Sequence, residues 1–245
     1  MTDFALLAAE IEKWIRERVG EAGAGGVVLG LSGGVDSGVT AALCAEALGS
    51  DRVLCLALPC GSDDSDTADA LRLASLLGVE CPVIDLDPVL ASLVRSAGLD
   101  PSDRLTVANI KARLRMTVAY AFSRDRLVAG TSNYSEICIG YWTKWGDGAA
   151  DFLPLGRLWK DEVRELGRFM GLPGWLTERT PSAGLWPGQS DEGEMGVTYE
   201  EIRSFFEGRL PCGEACDRIE AQRAATEHKR QPVPFFDARK WIEEK

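Results

Sequence analysis

Histidine occurs once in the 245 residues, at His228, and cations are outnumbered: 27 Lys and Arg face 38 Asp and Glu, for a formal net charge of -11. A chain of this sign repels phosphate backbones and anionic lipid unless its basic residues cluster, so neither nucleic acid nor a membrane surface is an expected partner. Long apolar runs are missing too. The longest, residues 27–31 and 53–59, fall far short of the ~20 residues that a membrane-spanning helix needs. The N-terminus has no basic start leading into an apolar stretch; Phe4, Leu7, Ala8, Ile11, Trp14, Ile15 and Val19 recur there at helical spacing, which reads as the first helix of a cytoplasmic protein. The seven cysteines are odd in number and scattered through apolar contexts, as reduced core thiols would be. Cys212 and Cys216 are the one close pair, and zinc would need more ligands than they and a lone histidine supply. No linker, like-charge block or internal repeat divides the chain, so residues 1–245 are expected to form one domain.

The elements alternate. Residues 27–31, 53–58 and 79–86 read as strands, and residues 36–48 and 64–77, each stopped by a glycine, read as helices between them. A short helix over 88–97, a long one over 106–123 and a strand over 127–129 continue the pattern, which implies a parallel sheet flanked by helices. Further on, 135–141, 159–170, 198–208 and 214–230 read as helices. Residues 130–158, dense in Gly, Asp, Trp, Lys and Thr, read as a site-building segment, and the proline-containing loop 173–196 as a binding segment whose portion 181–193 is a lid.

The sharpest motif is Gly30-Leu31-Ser32-Gly33-Gly34-Val35-Asp36-Ser37, set between the first strand and its helix. Gly33 and Gly34 let backbone approach a ligand closely, Ser32 and Ser37 supply hydroxyls, and the start of the helix points free N–H groups at an anion. The Lys-Ser/Thr pair of a Walker A loop is absent and Asp36 stands nearby instead; a carboxylate beside phosphates needs a divalent cation between them, which implies Mg²⁺. The same residues match the G-x-S-x-G elbow of α/β-hydrolases, with His228 late in the chain as that fold requires. No His-Gly-Gly-Gly-type segment accompanies it, and Lys229 and Arg230 beside His228 disfavour the imidazolium that a triad must form.

Residues 32–37 resemble the pyrophosphate loop of the N-type ATP pyrophosphatases, and the chain is similar to one branch of them, the ammonia-dependent NAD synthetases. Matching blocks run in that family's order through residues 109–115, 130–136, 141–151, 181–189 and 227–230. The resemblance implies a Rossmann-like α/β fold of the adenine nucleotide alpha hydrolase type. It also implies a reaction: the nicotinate carboxylate of deamido-NAD attacks the α-phosphorus of ATP, pyrophosphate leaves, and ammonia displaces AMP to give NAD. Mg²⁺ and cationic side chains would neutralise the charge that develops on the pyrophosphate.

Position by position, the resemblance places Gly30, Leu31, Ser32, Gly33, Gly34, Val35, Asp36 and Ser37 on the ATP phosphates, with Thr131, Lys160 and Ser182 as further ATP contacts. Asp36 and Glu136 are the implied Mg²⁺ ligands; Arg113, Lys144, Asp151, His228 and Lys229 are the implied deamido-NAD contacts. Asp151 is expected to take a proton from ammonium, the form that dominates at pH 7, and with Asp36 and Lys160 makes up the expected catalytic set. Glutamine-dependent members carry an additional amidase domain for which this length leaves no room, so free ammonia is the expected donor and a homodimer the expected assembly. Two other readings use the same loop. One is a pyrophosphatase acting on a tRNA base or a small carboxylate; a tRNA enzyme would want a basic surface and a thiolating one paired cysteines, and this chain has neither. A non-catalytic nucleotide-binding module would leave Glu136 and Asp151 unexplained.

Overall fold

Residues 27–29 and 53–56 contain no polar side chain, so the strands that they form need cover on both faces, as strands of a parallel sheet do. The structure, a computed structural model that describes residues 2–182 and 189–242, has that sheet. β1 (Gly26–Gly30) is central, with β2 (Val53–Leu56) on one side and β3 (Arg126–Val128) on the other, all parallel. Val27 pairs with Val53 and with Leu127. Single parallel bridges widen the sheet, Leu54 to Glu80 and Ala57 to Val83 beyond β2, and Ala129 to Phe152 beyond β3. The strand expected over 79–86 is therefore reduced to bridges. Pro82 offers only a carbonyl, which accepts from the Ala57 N–H at 3.1 Å, and the segment donates back first at Ile84, 2.9 Å from the Ala57 carbonyl.

The helices are α1 (Phe4–Glu21), α2 (Val35–Leu48), α3 (Asp64–Leu77), α4 (Asp87–Ser96), α5 (Arg104–Ala121), α6 (Tyr134–Ile139), α7 (Lys160–Phe169), α8 (Gly174–Thr177), α9 (Asp191–Met195), α10 (Tyr199–Phe206), α11 (Glu214–Ala225), α12 (Glu227–Arg230) and α13 (Arg239–Ile242). Alternate strand residues serve opposite faces. Val27, Leu29 and Cys55 join the core made with α1, α2, α3 and α7, whereas Val28, Leu54 and Leu56 join the one made with α4 and α5. A third cluster, with Ile139, Ile202 and Ile219 fully buried, packs α6, α10 and α11 together and carries one wall of the site. The N-terminal stripe is covered by the chain itself: Ala8, Ile15 and Val19 are buried against the α2 layer.

Four cysteines, Cys44, Cys55, Cys60 and Cys138, are buried free thiols, and burial pushes Cys44 up to about 12, too high for a reactive thiolate at neutral pH. Cys212 departs from the core expectation by standing exposed. The helix expected over 214–230 is broken at Thr226, whose hydroxyl lies 2.8 Å from both the Ile139 carbonyl at the end of α6 and the Gln222 carbonyl of α11. Loop 173–196 holds two short helices, α8 and α9, while residues 183–188 of the expected lid lie outside the described residues. Among the described residues no helix is long and apolar enough to cross a membrane.

Candidate active site

The carboxyl ends of β1 and β2 and the segment following β3 open into a cavity of about 660 Å³, where ligands of open parallel sheets bind. The loop from β1 to α2 forms one wall and holds its own shape. The Ser37 hydroxyl donates to the Gly34 carbonyl at 3.0 Å and accepts the Ser32 N–H at 3.2 Å; with its single proton so used, it accepts the Ser32 hydroxyl at 3.0 Å. Gly34 caps α2 without a side-chain hydrogen bond, leaving the first N–H groups of the helix available to an anion. Gly33 sits at φ +76°, and a Cβ there would come within 2.8 Å of the Asp66 carbonyl oxygen. Gly33→Ala is accordingly expected to lower stability by about 1–3 kcal/mol through strain, with ATP affinity falling alongside; urea unfolding of the purified variant checks the first.

Below the loop, three elements bring charge together. Asn133 caps α6 in a capping box with Glu136, which turns the Glu136 carboxylate back toward the cavity. The Asn133 amide also donates to Asp36 at 3.0 Å. Lys160 is the first residue of α7, and long helical side chains lean toward the N-terminus, which carries its ammonium to Asp36 and to 3.6 Å from Glu136. Burial pushes the Glu136 carboxyl up, opposed by Lys160 and reinforced by Asp36 and Asp191. Burial alone would lower the Lys160 ammonium, but Asp36 and Glu136 outweigh it and leave its pKa above the ordinary value.

The opposite rim gathers four of the five residues expected on the dinucleotide. Arg113 donates to the Lys144 carbonyl at 3.2 and 3.3 Å, Lys144 donates to the His228 carbonyl at 2.7 Å, and Lys229 donates to the carbonyls of Gly140, at 2.8 Å, and Trp142. The break at Thr226 places His228 and Lys229 over residues 140–144. All four line the cavity, as do Thr131 and Ser182.

Asp151 is placed differently. Its carboxylate accepts the Val128 N–H at 2.7 Å and the Tyr120 hydroxyl at 3.1 Å, its own N–H returns to the Val128 carbonyl at 2.9 Å, and it stands outside the cavity lining. Asp147 does line the cavity, with one oxygen accepting the Thr143 N–H at 3.0 Å.

Asp147, Arg179, Asp191 and Tyr199 are site residues that the sequence reading did not single out. The Tyr199 hydroxyl lies 2.8 Å from Asp191 and 3.4 Å from Glu136, with its ring over Lys160, and Tyr141 reaches Asp191 at 3.3 Å and Glu194 at 2.7 Å. Burial pushes the Asp191 carboxyl up despite Lys160 and the tyrosine hydroxyls. Asp147 lay inside a matched block and was open to detection; Asp191 reads locally as a first-turn acid after the Ser190 cap, and nothing nearby in sequence announces its tyrosines.

The sequence model of the family described as NAD synthase matches residues 7–233. A relative named NH(3)-dependent NAD(+) synthetase, from Carboxydothermus hydrogenoformans, is 42% identical over 91% of this chain and 93% of its own. Among solved structures, an NMN synthetase from Francisella tularensis superposes with a TM-score of 0.92 at 37% identity, covering 97% of this chain and all of its own. An NH3-dependent NAD synthetase from Campylobacter jejuni, in complex with the nitrate ion, superposes at 0.82 with 27% identity over 96% of this chain and all of its own.

Proposed function

Because the chain belongs to the NAD synthase family, we infer that its cavity catalyses the ATP-dependent amidation of deamido-NAD by ammonia, giving NAD, AMP and pyrophosphate. One observation carries the reading: the loop at residues 30–37, the Asp36–Lys160–Glu136 cluster and the Arg113–Lys144–His228–Lys229 rim face a single cavity. An anion cradle on one side and cations on the other suit two negatively charged nucleotides whose reacting groups must meet.

The chemistry needs two substitutions. A carboxylate oxygen of nicotinate forms a bond to the α-phosphorus while the bond from that phosphorus to the bridging oxygen breaks and pyrophosphate leaves. Ammonia then forms the C–N bond, AMP leaves with the C–O electron pair, and the attacking nitrogen gives up a proton. The loop N–H groups and the Lys160 ammonium are the donors at hand for the departing pyrophosphate.

Mg²⁺ fits the donor set. Asp36 and Glu136 converge on one cation, Lys160, and no described group of three or more His, Cys, Asp or Glu side chains could hold a metal by itself. Two carboxylates completed by substrate phosphates are the usual holding for this ion, which when bound would neutralise phosphate charge. We assign the proton-accepting role to Asp147, which faces the cavity, and an ordering role to Asp151 at the edge of β3. A homodimer working in the cytoplasm completes the proposal; light scattering of the purified chain tests the assembly.

The TM-score of 0.92 to an NMN synthetase favours a second reading, the same amidation on the mononucleotide. The assay that decides supplies ATP and Mg²⁺, deamido-NAD or nicotinate mononucleotide, and ammonium or glutamine. NAD formed one-to-one with AMP from ammonium and not from glutamine is the expected result. Preferential turnover of the mononucleotide establishes the second reading, and no pyrophosphate with either nucleotide would sink both.

A further inference from the structure

Two glycines flank the peptide bond between residues 33 and 34, so no side chain fixes its orientation, and such a peptide can rotate at little cost. We propose that Arg179 is the positioning residue that fixes it. Arg179 lies just after α8, 146 residues from the loop in sequence, and its guanidinium donates to the Gly33 carbonyl at 3.3 Å. The same guanidinium is held by two carboxylates of α3, Asp69 at 3.0 Å and Asp66, and the Arg179 carbonyl is itself held by Arg164 at 2.9 Å.

In a trans peptide the carbonyl and the N–H point in opposite directions. With the Gly33 carbonyl turned toward Arg179, the Gly34 N–H is turned toward the Ser32 hydroxyl, 3.3 Å away, and both Ser32 and Gly34 line the cavity. The backbone of α3 closes the space beside Gly33, so the loop is held between α3 and the guanidinium. Arginine suits the task because its planar fork bonds a carbonyl and two carboxylates at once, which the point charge of lysine does not. Arg179 thus holds the peptide between residues 33 and 34 in the orientation that keeps the Gly34 N–H on the Ser32 hydroxyl, which sets the shape of the loop where the pyrophosphate part of ATP binds. The inference rests on reading residues 30–37 as a phosphate loop.

The test is calorimetric titration with inorganic pyrophosphate in the presence of Mg²⁺ and, separately, with AMP, which lacks the β and γ phosphates. Arg179→Ala is expected to weaken pyrophosphate about tenfold, as much as one hydrogen bond contributes to the order of the loop, and to leave AMP within about twofold. Arg179→Lys should recover part of the affinity. Asp69→Asn, which loosens the fork and leaves the guanidinium in place, should weaken pyrophosphate in the same direction. Should Arg179→Ala not fold, the Lys and Asp69 variants carry the comparison.

A folded Arg179→Ala protein that binds pyrophosphate like the wild type overturns the inference, as does an equal loss of both ligands, which marks a purely structural residue. Tighter pyrophosphate binding in Asp69→Asn also overturns it, since Arg179 would then act on the ligand directly. A wild-type chain that binds no pyrophosphate overturns the phosphate-loop reading along with it.

Discussion

Asp147→Asn is expected to slow ammonia-dependent NAD formation by about 10²–10³-fold, the loss that follows removal of a positioned proton acceptor. Release of pyrophosphate in the presence of deamido-NAD should continue. One Asp147 oxygen already accepts the Thr143 N–H, and an Asn carbonyl preserves that bond, so the substitution removes the charge and proton affinity of the other oxygen with little change to the loop. Asp151→Asn should behave differently. Its carboxylate is engaged by the Val128 N–H and the Tyr120 hydroxyl at the sheet edge, bonds that an amide oxygen largely replaces, and a loss of a few-fold is expected. Single-turnover measurement of pyrophosphate and NAD in the two variants separates adenylation from amidation. The reverse ranking would return the proton-accepting role to Asp151.

Lys160→Met is expected to affect both folding and turnover. The lysine side chain is 4% exposed and its partners Asp36 and Glu136 are 18% and 15% exposed, so deleting the cation leaves two largely buried carboxylates facing each other. Breaking a buried pair on one side costs about 3–5 kcal/mol, and the partial solvent access here points to the lower end. The remaining carboxylates are the oxygen pair assigned to Mg²⁺, so millimolar MgCl₂ should raise the melting temperature of the variant more than that of the wild type. Turnover should fall about 10²–10³-fold, as when one preorganised charge donor is removed. Thermal melts with and without MgCl₂ check the first two points. A variant that melts like the wild type and ignores Mg²⁺ would contradict the convergence of Asp36 and Glu136 on one cation.

The first half of the fold was legible because its signals are local. Apolar runs at 27–29 and 53–56, glycine stops after residues 48 and 77, and the Asp63 cap before α3 each act within a few residues. The segment over 79–86 has strand composition, but Pro82 interrupts its donors. The helix over 214–230 has helical composition, but it breaks at Thr226, which lies against Ile139, 87 residues away. The loop at 30–37 was readable because strand, glycines and helix are contiguous, and Glu136 and Lys160 because family resemblance carries positions that spacing alone does not. Asp191 and Arg179 were not readable, since their roles arise from Tyr199 and Tyr141 on one side and from Gly33 and α3 on the other.

Lys160 occupies, in effect, the seat of its own ligand's counterion. The carboxylates of Asp36 and Glu136 already share one cation before any nucleotide arrives. Were Mg²⁺ held by Asp36 and Glu136 when ATP binds, the Lys160 ammonium would be released from them to the phosphate oxygens. Such a swap would leave the ammonium and both carboxylates each with a partner of opposite charge, which would ease the approach of a polyanion to a protein with a formal charge of -11. The affinity of the cavity for nucleotide should therefore depend far less on ionic strength than that of an open basic patch.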